Sequence, residues 1–402
     1  MEAHLQMWLG LLVRWAHFIV GIAWIGASFY FNWLENHLER QNRPDDMAGD
    51  LWAVHGGGFY YLKKFAVAPG ELPPTLHWFK WEAYTTWISG MALLIIVFYL
   101  NAETYMLDPS MAGVSAAMSI AIGILSLLSS WIVYDLLCNS PLSKREWLLG
   151  LIILGWFVLL AWVLNDWLSG RAAFIHVGAA IGTVMVANVF RVIIPAQKDL
   201  VKAVTENRKP DPGKGLKALQ RSRHNNYFTL PVLFIMISGH FPATYGSANN
   251  WLVLLVFSLA AVAIRHYFNI RHLPGPKTWP LIVAFLLLAG LIIATAPTPR
   301  AITKPGISQA TGISQPTVEI SEAYAIIKKR CVNCHSPTPE FAGFTSAPLG
   351  VELDSEEKLA KHAERVNQTV AILRSMPLAN LTQMTDTERQ QIASWFENRK
   401  LD

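Results

Sequence analysis

Long apolar runs, separated by short polar segments, fill the chain as far as about residue 297. A membrane-spanning helix needs about 20 apolar residues and satisfies its own backbone hydrogen bonds in lipid. Eight windows have this pattern, approximately 8–30, 82–100, 113–137, 147–165, 172–195, 227–243, 250–268 and 279–297. The pattern predicts an all-α fold, a polytopic membrane bundle of about eight spans. No Lys or Arg precedes the first window, so we expect that window to remain as an anchor.

Composition agrees with a lipid environment, because 52% of the residues are hydrophobic and only 15% are charged, against about 25% in soluble proteins. Basic residues cluster in the loops after the first, third, fifth and seventh windows, whereas the opposite loops contain only Arg171. Cytoplasmic loops carry the excess of Lys and Arg, so both termini are predicted on the outer side. Since these basic residues mark loops and form no continuous tract, we expect no nucleic-acid partner.

The pattern changes after residue 297. Residues 298–318 are rich in Pro, Ser, Thr and Gly without apolar periodicity, which is typical of a flexible tether. Beyond them charged residues recur every few positions. We therefore predict a transmembrane domain at 1–297, a linker at 298–318 and a small domain on the outer side at 319–402.

The small domain contains the motif Cys331-Val332-Asn333-Cys334-His335. This spacing allows two thioethers to hold one haem c covalently while the adjacent histidine binds the iron. A chance match or half of a zinc site is the alternative, but no second Cys/His pair follows to complete four ligands. The motif predicts a class I-type cytochrome c domain, with a helix over residues 321–330.

A second axial ligand should follow later in the chain. Met376 is the leading candidate because Pro377 would fix the chain in an extended loop there. The other candidates are Met384, which precedes the capping box Thr385-Asp386-Thr387-Glu388 of a predicted helix, and His362, which lies in a charged run. His/Met ligation would raise the reduction potential, so the domain is expected to accept electrons.

Ionisable residues inside membrane spans are candidates for function. Arg14 and His17 are three residues apart in the first span and share a helical face. By the predicted topology His17, His176 and His240 lie in the outer half of the membrane, and His266 lies in the inner half. The residues of weaker interest are Asn188 and Arg191 in the fifth span, His55 and His77 in the first inner loop, and Cys138.

Two functional interpretations compete with a structural one, in which these histidines only cap helices or bond neighbouring spans. In the first, a pair such as His17 and His176 holds a b-type haem. In the second, Arg14 and the histidines bind an anionic substrate and move protons. The sequence alone does not separate them, and Arg14, His17 and His176 are the catalytic candidates.

The strings RWAHFIVGIAWIGASFYFNWLENHL and WAVHGGGFYYLKKF, the eight spans and the tethered CVNCH domain resemble the bacterial membrane-bound urate oxidase (urate hydroxylase) family. The resemblance covers essentially the whole chain. It implies oxidation of urate to 5-hydroxyisourate, with electrons passed to the cytochrome domain instead of producing hydrogen peroxide. It also implies that haem binds at Cys331, Cys334, His335 and Met376, but it assigns no catalytic residue in the membrane domain.

The implied partners are urate and either a soluble cytochrome c or a terminal oxidase, and the implied location is the bacterial inner membrane with both termini periplasmic. One haem c removes electrons singly, so a second carrier such as haem b, or a stabilised radical, is expected. Two alternatives remain. The protein could be an electron-transfer subunit that feeds the tail from quinol or haem b without a purine site, or a transporter with a redox sensor.

Overall fold

A computed structural model describes residues 2–42, 44–107, 113–246, 249–296, 318–341, 347–372, 374 and 376–399. The predicted linker, apart from Val318, lies outside these residues, as does the loop residue Arg43. The helices in chain order are α1 (Glu2–Asn36), α2 (Trp81–Leu93), α3 (Ala102–Tyr105), α4 (Ala116–Asn139), α5 (Glu146–Asn165), α6 (Gly170–Ala187), α7 (Ile194–Thr205), α8 (Pro212–Ser238), α9 (Pro242–Tyr245), α10 (Asn250–Ile270), α11 (Trp279–Ala294), α12 (Ile320–Arg330), α13 (Glu356–Lys361), α14 (Ala363–Val366) and α15 (Asp386–Asn398).

Within the described residues, six helical stretches are long and apolar enough to cross a membrane. They coincide with six of the eight predicted windows. The other two differ. The sixth window falls in α8, whose first half is polar and carries Lys214 and Arg221, and α11 has only 16 residues. The mainly helical, membrane-type fold is thus confirmed, while the count of eight spans stays a prediction.

Local sequence explains where several of these helices begin. Ser115 and Ser169 cap α4 and α6, because each hydroxyl accepts a backbone N–H of the first turn. Asp211 caps α8 and is followed by Pro212 at the first helical position. Two helices continue through a π-helical turn, α2 over Leu94–Tyr99 and α6 over Asn188–Ile193, a distortion that often accompanies functional sites.

One element departs from the all-α prediction. The first inner loop folds into an antiparallel hairpin of β1 (Met47–His55) and β2 (Gly58–Phe65). Gly56 and Gly57 both adopt positive φ in its two-residue turn, the conformation that glycine adopts without steric cost. His55 therefore ends a strand beside a tight turn, and Gly56 and Gly57 have a structural explanation.

The bundle and the tail each have their own apolar core. In the bundle, α4, α5, α6 and α8 surround the largest core, while α1 packs on α2 and α10 packs on α11. In the tail, α12, α13, α14 and α15 enclose a smaller one. The helix predicted before the CVNCH motif is α12, and the predicted capping box opens α15 with Ile392, Trp395 and Phe396 buried. The division of the chain into three regions stays a prediction.

Candidate functional site

A cavity of about 470 Å³ lies between α1, α2, α6 and α8. Its volume is in the range of sites for small organic molecules. Most of the wall is apolar or aromatic, and Trp87 is held by a hydrogen bond from its indole N–H to Thr183 at 3.0 Å. The polar side chains of the wall are Arg14, His17, Thr86, Trp87, Arg171, Ser238 and His240.

Four of these residues carry the chemistry of the cavity. Arg14 and His17 come from α1, Arg171 from the first turn of α6, and His240 from the segment just after α8. No Asp or Glu lines the cavity in the described part of the chain. The predicted association of Arg14, His17 and His240 is thus seen in space, and the cavity has a net positive lining.

The hydrogen bonds of His17 define its tautomer. Its Nδ1 lies 3.0 Å from the Ser89 hydroxyl, and that hydroxyl donates its own proton to the Thr85 carbonyl at 2.6 Å. Ser89 can therefore only accept from His17, so Nδ1 carries the proton and Nε2 presents a lone pair. A neutral imidazole oriented in this way can accept a proton or bind a metal.

Gly90 makes room for the His17 ring on α2. A Cβ atom at this position would lie 3.1 Å from Cε1 of His17, which is closer than ordinary van der Waals contact. The absence of a side chain at Gly90 therefore lets the imidazole pack flat against α2 while it bonds Ser89, one residue earlier. A glycine in an otherwise regular helix here serves close packing.

His176 is placed differently. It is fully buried and does not line the cavity. Its Nδ1 donates to the Ala172 carbonyl at 2.8 Å, so its Nε2 accepts from the Tyr99 hydroxyl at 3.3 Å. A Cβ atom at Gly123 would come within 2.4 Å of Nε2. Both ring nitrogens are engaged and enclosed, so the geometry gives no support to His17 and His176 as a haem b pair, which stays a prediction.

A second group of polar residues in the bundle does not line the cavity, and we call it the Tyr134 network. It consists of Tyr134, Asp135, Asn188, Arg221, His224 and Asn225. Arg221 pairs with Asp135 at 2.7 Å. The Asn188 amide donates to the Tyr134 oxygen at 2.9 Å, so the Tyr134 hydroxyl donates to His224 at 2.8 Å.

The Tyr134 network contains several residues that sequence reasoning missed. His224, Asn225 and Arg221 lie in the polar half of α8 and look like loop residues by composition. They were missed because the sixth predicted window begins at residue 227, whereas α8 begins at Pro212 and carries them into the bundle. The Sγ atom of Cys138 lies 3.8 Å from Nδ1 of His224. His266, which bonds Tyr227 at 2.8 Å, and the exposed Arg191, His55 and His77 do not line the cavity.

Residues that could hold a haem come together in the tail. Cys331 directly follows α12, and the Cys334 and His335 amides donate to its carbonyl. His335 Nδ1 donates to the Val351 carbonyl at 2.8 Å, which leaves Nε2 with a lone pair. Burial lowers the pKa of the His335 imidazole, so the neutral, ligating form predominates. Burial also raises the pKa of the Cys331 thiol to about 12.

The Met376 loop is tied to the same core. The Met376 amide donates to Thr369, and its carbonyl accepts from Arg389 at 2.6 Å. Met376 packs against the tail core as a partly buried residue, whereas Met384 is fully buried in that core and His362 joins α13 to α14. No group of three or more His, Cys, Asp or Glu side chains suited to a metal occurs among the described residues. The binding of haem c at this motif stays a prediction.

Fold and cavity define a helical protein with membrane-spanning candidates around a cationic, largely apolar cavity. A family profile described as urate oxidase N-terminal matches residues 3–296. The chain therefore belongs to the urate oxidase N-terminal family, as the sequence resemblance had indicated. No curated protein and no solved structure matches it. The family match covers the cavity and ends before the CVNCH motif.

Proposed function

We propose that the chain is a membrane-bound urate oxidase (urate hydroxylase) that forms 5-hydroxyisourate and passes the electrons through haem c to the respiratory chain. The observation that carries this proposal is the cationic cavity inside the domain that matches the urate oxidase family. Urate is a planar monoanion near neutral pH. It is complementary to a cavity that offers two guanidinium groups, aromatic faces and no carboxylate.

The chemistry can be assigned to residues of the cavity. Urate monoanion and one water give 5-hydroxyisourate, one proton and two electrons. Arg14 and Arg171 hold the anion, while the aromatic rings of Trp87 and Phe98 flank a planar ligand. Nε2 of His17 accepts the proton as water adds to the purine ring. His176 does not line the cavity. Its role is to hold Tyr99 in place through their hydrogen bond, next to the cavity residue Phe98.

The electrons leave through the tail. Cys331 and Cys334 would hold the haem covalently, and His335 and Met376 would bind its iron. Bound there, the haem would supply one-electron transfer at a raised potential. A soluble cytochrome c or a terminal oxidase is the acceptor, and we place the protein in the bacterial inner membrane with both termini periplasmic.

A second candidate is an electron-transfer subunit without a purine site. The open Nε2 of His17 in a mostly apolar cavity favours it, because this combination also suits a haem b ligand. In that case quinol, and not urate, would supply the electrons to the tail.

The proposal is tested with the purified full-length protein, urate and oxidised soluble cytochrome c under air. We expect two molecules of cytochrome c reduced per urate, formation of 5-hydroxyisourate, and no hydrogen peroxide. A Cys334→Ala variant should lose the cytochrome c reduction. Stoichiometric oxygen consumption with hydrogen peroxide would instead mean that electrons go directly to oxygen and would contradict the role of the tail.

A further inference from the structure

Three arginines of the bundle differ in their partners. Arg221 is paired with Asp135 at 2.7 Å, and Arg265 donates to Asn226 at 2.9 Å while its guanidinium covers the Phe29 ring at 4.1 Å. Arg171 has neither kind of partner among the described residues. Its Nε is buried without a hydrogen bond, and no carboxylate of a described residue lies within 4.0 Å.

The remaining contacts of Arg171 are aromatic and do not neutralise its charge. Its guanidinium carbon lies 5.8 Å from the Phe98 ring centre and 5.3 Å from that of Tyr105. A Cβ atom at Gly239 would lie 3.9 Å from Nε, so the side chain reaches from α6 to the end of α8, next to His240. Cation–π contacts hold the guanidinium in a fixed place but leave its N–H donors available.

The position of Arg171 within its helix makes a positive charge there unfavourable. Arg171 lies in the first turn of α6, which has no acidic residue in that turn. The N-terminus of a helix carries a partial positive charge, so a cation there is unfavourable and an anion is favourable. A guanidinium at this end, half enclosed beside apolar residues and with a buried Nε that has no hydrogen bond, would be stabilised by an anion.

We propose that Arg171 is the residue that selects an organic anion for the cavity and rejects uncharged purines. Arg14 lines the same cavity from α1, so a planar anion would be held from two walls. The naming of urate as that anion rests on the proposed function. The selection itself does not, because it depends only on the unpaired charge and on the shape of the cavity.

The test compares Arg171→Gln and Arg171→Lys in the full-length protein. Binding of urate and orotate, which are planar anions, and of uncharged hypoxanthine is measured by equilibrium dialysis, alongside KM and kcat for urate. A hydrogen-bonded charge of this kind corresponds to a change of about 10- to 100-fold in affinity. We expect Arg171→Gln to weaken the two anions by that factor, mainly through KM, and to leave hypoxanthine unchanged. Arg171→Lys should recover part of the loss.

Arg191→Gln is the matched control, since Arg191 is an exposed arginine further along the same helical stretch that does not line the cavity. It should bind all three probes like the wild type. Unchanged anion affinity in Arg171→Gln, equal loss for hypoxanthine, or no anion binding by the wild type would overturn the inference. If anions bind through Arg171 but urate never reduces the tail, the selection stands and the proposed oxidation fails.

Discussion

The cavity and the Tyr134 network use the same kinds of side chain, but the network pairs its arginine and histidine with protein groups, whereas the cavity leaves donors and acceptors of the same residue types open. In the network a buried arginine meets a carboxylate and a histidine accepts from a tyrosine. In the cavity Arg171 has a buried Nε without a hydrogen bond, and His17 presents a free lone pair. Satisfied polar groups stabilise a fold, whereas unsatisfied ones beside a void indicate a ligand. The Tyr134 network therefore has a structural role, and the cavity is the candidate for chemistry.

The largest expected effect concerns His17. Replacing His17 with Gln removes the Nε2 base, and loss of a general base lowers turnover by about 10²- to 10⁴-fold. The melting temperature should change little, because among the described residues the His17 side chain makes few hydrogen bonds, to the Ser89 hydroxyl and the Thr86 backbone. Steady-state urate oxidation and thermal unfolding of the same preparation measure the two effects. A large loss of stability with normal turnover in the folded fraction would place His17 among the structural residues.

Arg221→Met should have the opposite profile. It leaves Asp135 without its cation and removes a donor to Asn188. Breaking a buried pair costs about 3–5 kcal/mol, and the lower end applies because the Asp135 side chain is 34% exposed. Denaturant unfolding in detergent measures the loss. The double variant Arg221→Met/Asp135→Asn should regain part of it, and urate KM of the folded protein should stay normal.

Tyr134→Phe is expected to be milder. It leaves the His224 Nδ1 without its donor and the Asn188 amide with one acceptor fewer. An unsatisfied buried group costs about 1–3 kcal/mol. Thermal unfolding should report this loss. Turnover should stay within about twofold of the wild type, because Tyr134 does not line the cavity. A collapse of turnover without destabilisation would show that the network takes part in the reaction.

The smallest effect is in the tail, where Arg330 and Glu388 form an ion pair at 2.9 Å and both side chains are largely buried. Burial alone would raise the pKa of Glu388, but the hydrogen bonds from Arg330 and Thr385, together with the charge of Arg330, outweigh it and hold that pKa below its usual range. The pair therefore adds stability above the usual glutamate pKa, and this is lost as pH falls through the lower, folded value. Thermal unfolding of the tail at several acidic pH values should show this slope, and Glu388→Gln should flatten it.

Sequence patterns located six helices well, because length and apolar composition decide a membrane span. They misjudged α8, since its polar first half resembles a loop until its side chains are seen to bond inside the bundle. The hairpin was missed because its strands are half-polar and lie in a loop between two membrane spans. The error on α8 follows from tertiary contacts that no local pattern contains.

The site was predicted in part for the same reason. Arg14 and His17 share a face of one helix, so spacing was enough to associate them. His176 was grouped with them by depth alone, but the rotation of α6 turns it toward Tyr99 and Gly123. Arg171 served only as a marker of topology, although the helix-start position of a lone cation on the outer side was a usable signal.

The most direct test of urate oxidation through the tail is the reduced-minus-oxidised spectrum of the detergent-purified protein before and after anaerobic addition of urate. We expect urate to reduce a c-type band. In His17→Gln this reduction should be slower, while dithionite should still reduce the band fully. An additional b-type band would add haem b as the second carrier. A c-type band that responds to quinol or dithionite but never to urate would contradict urate oxidation through the tail and favour the electron-transfer subunit.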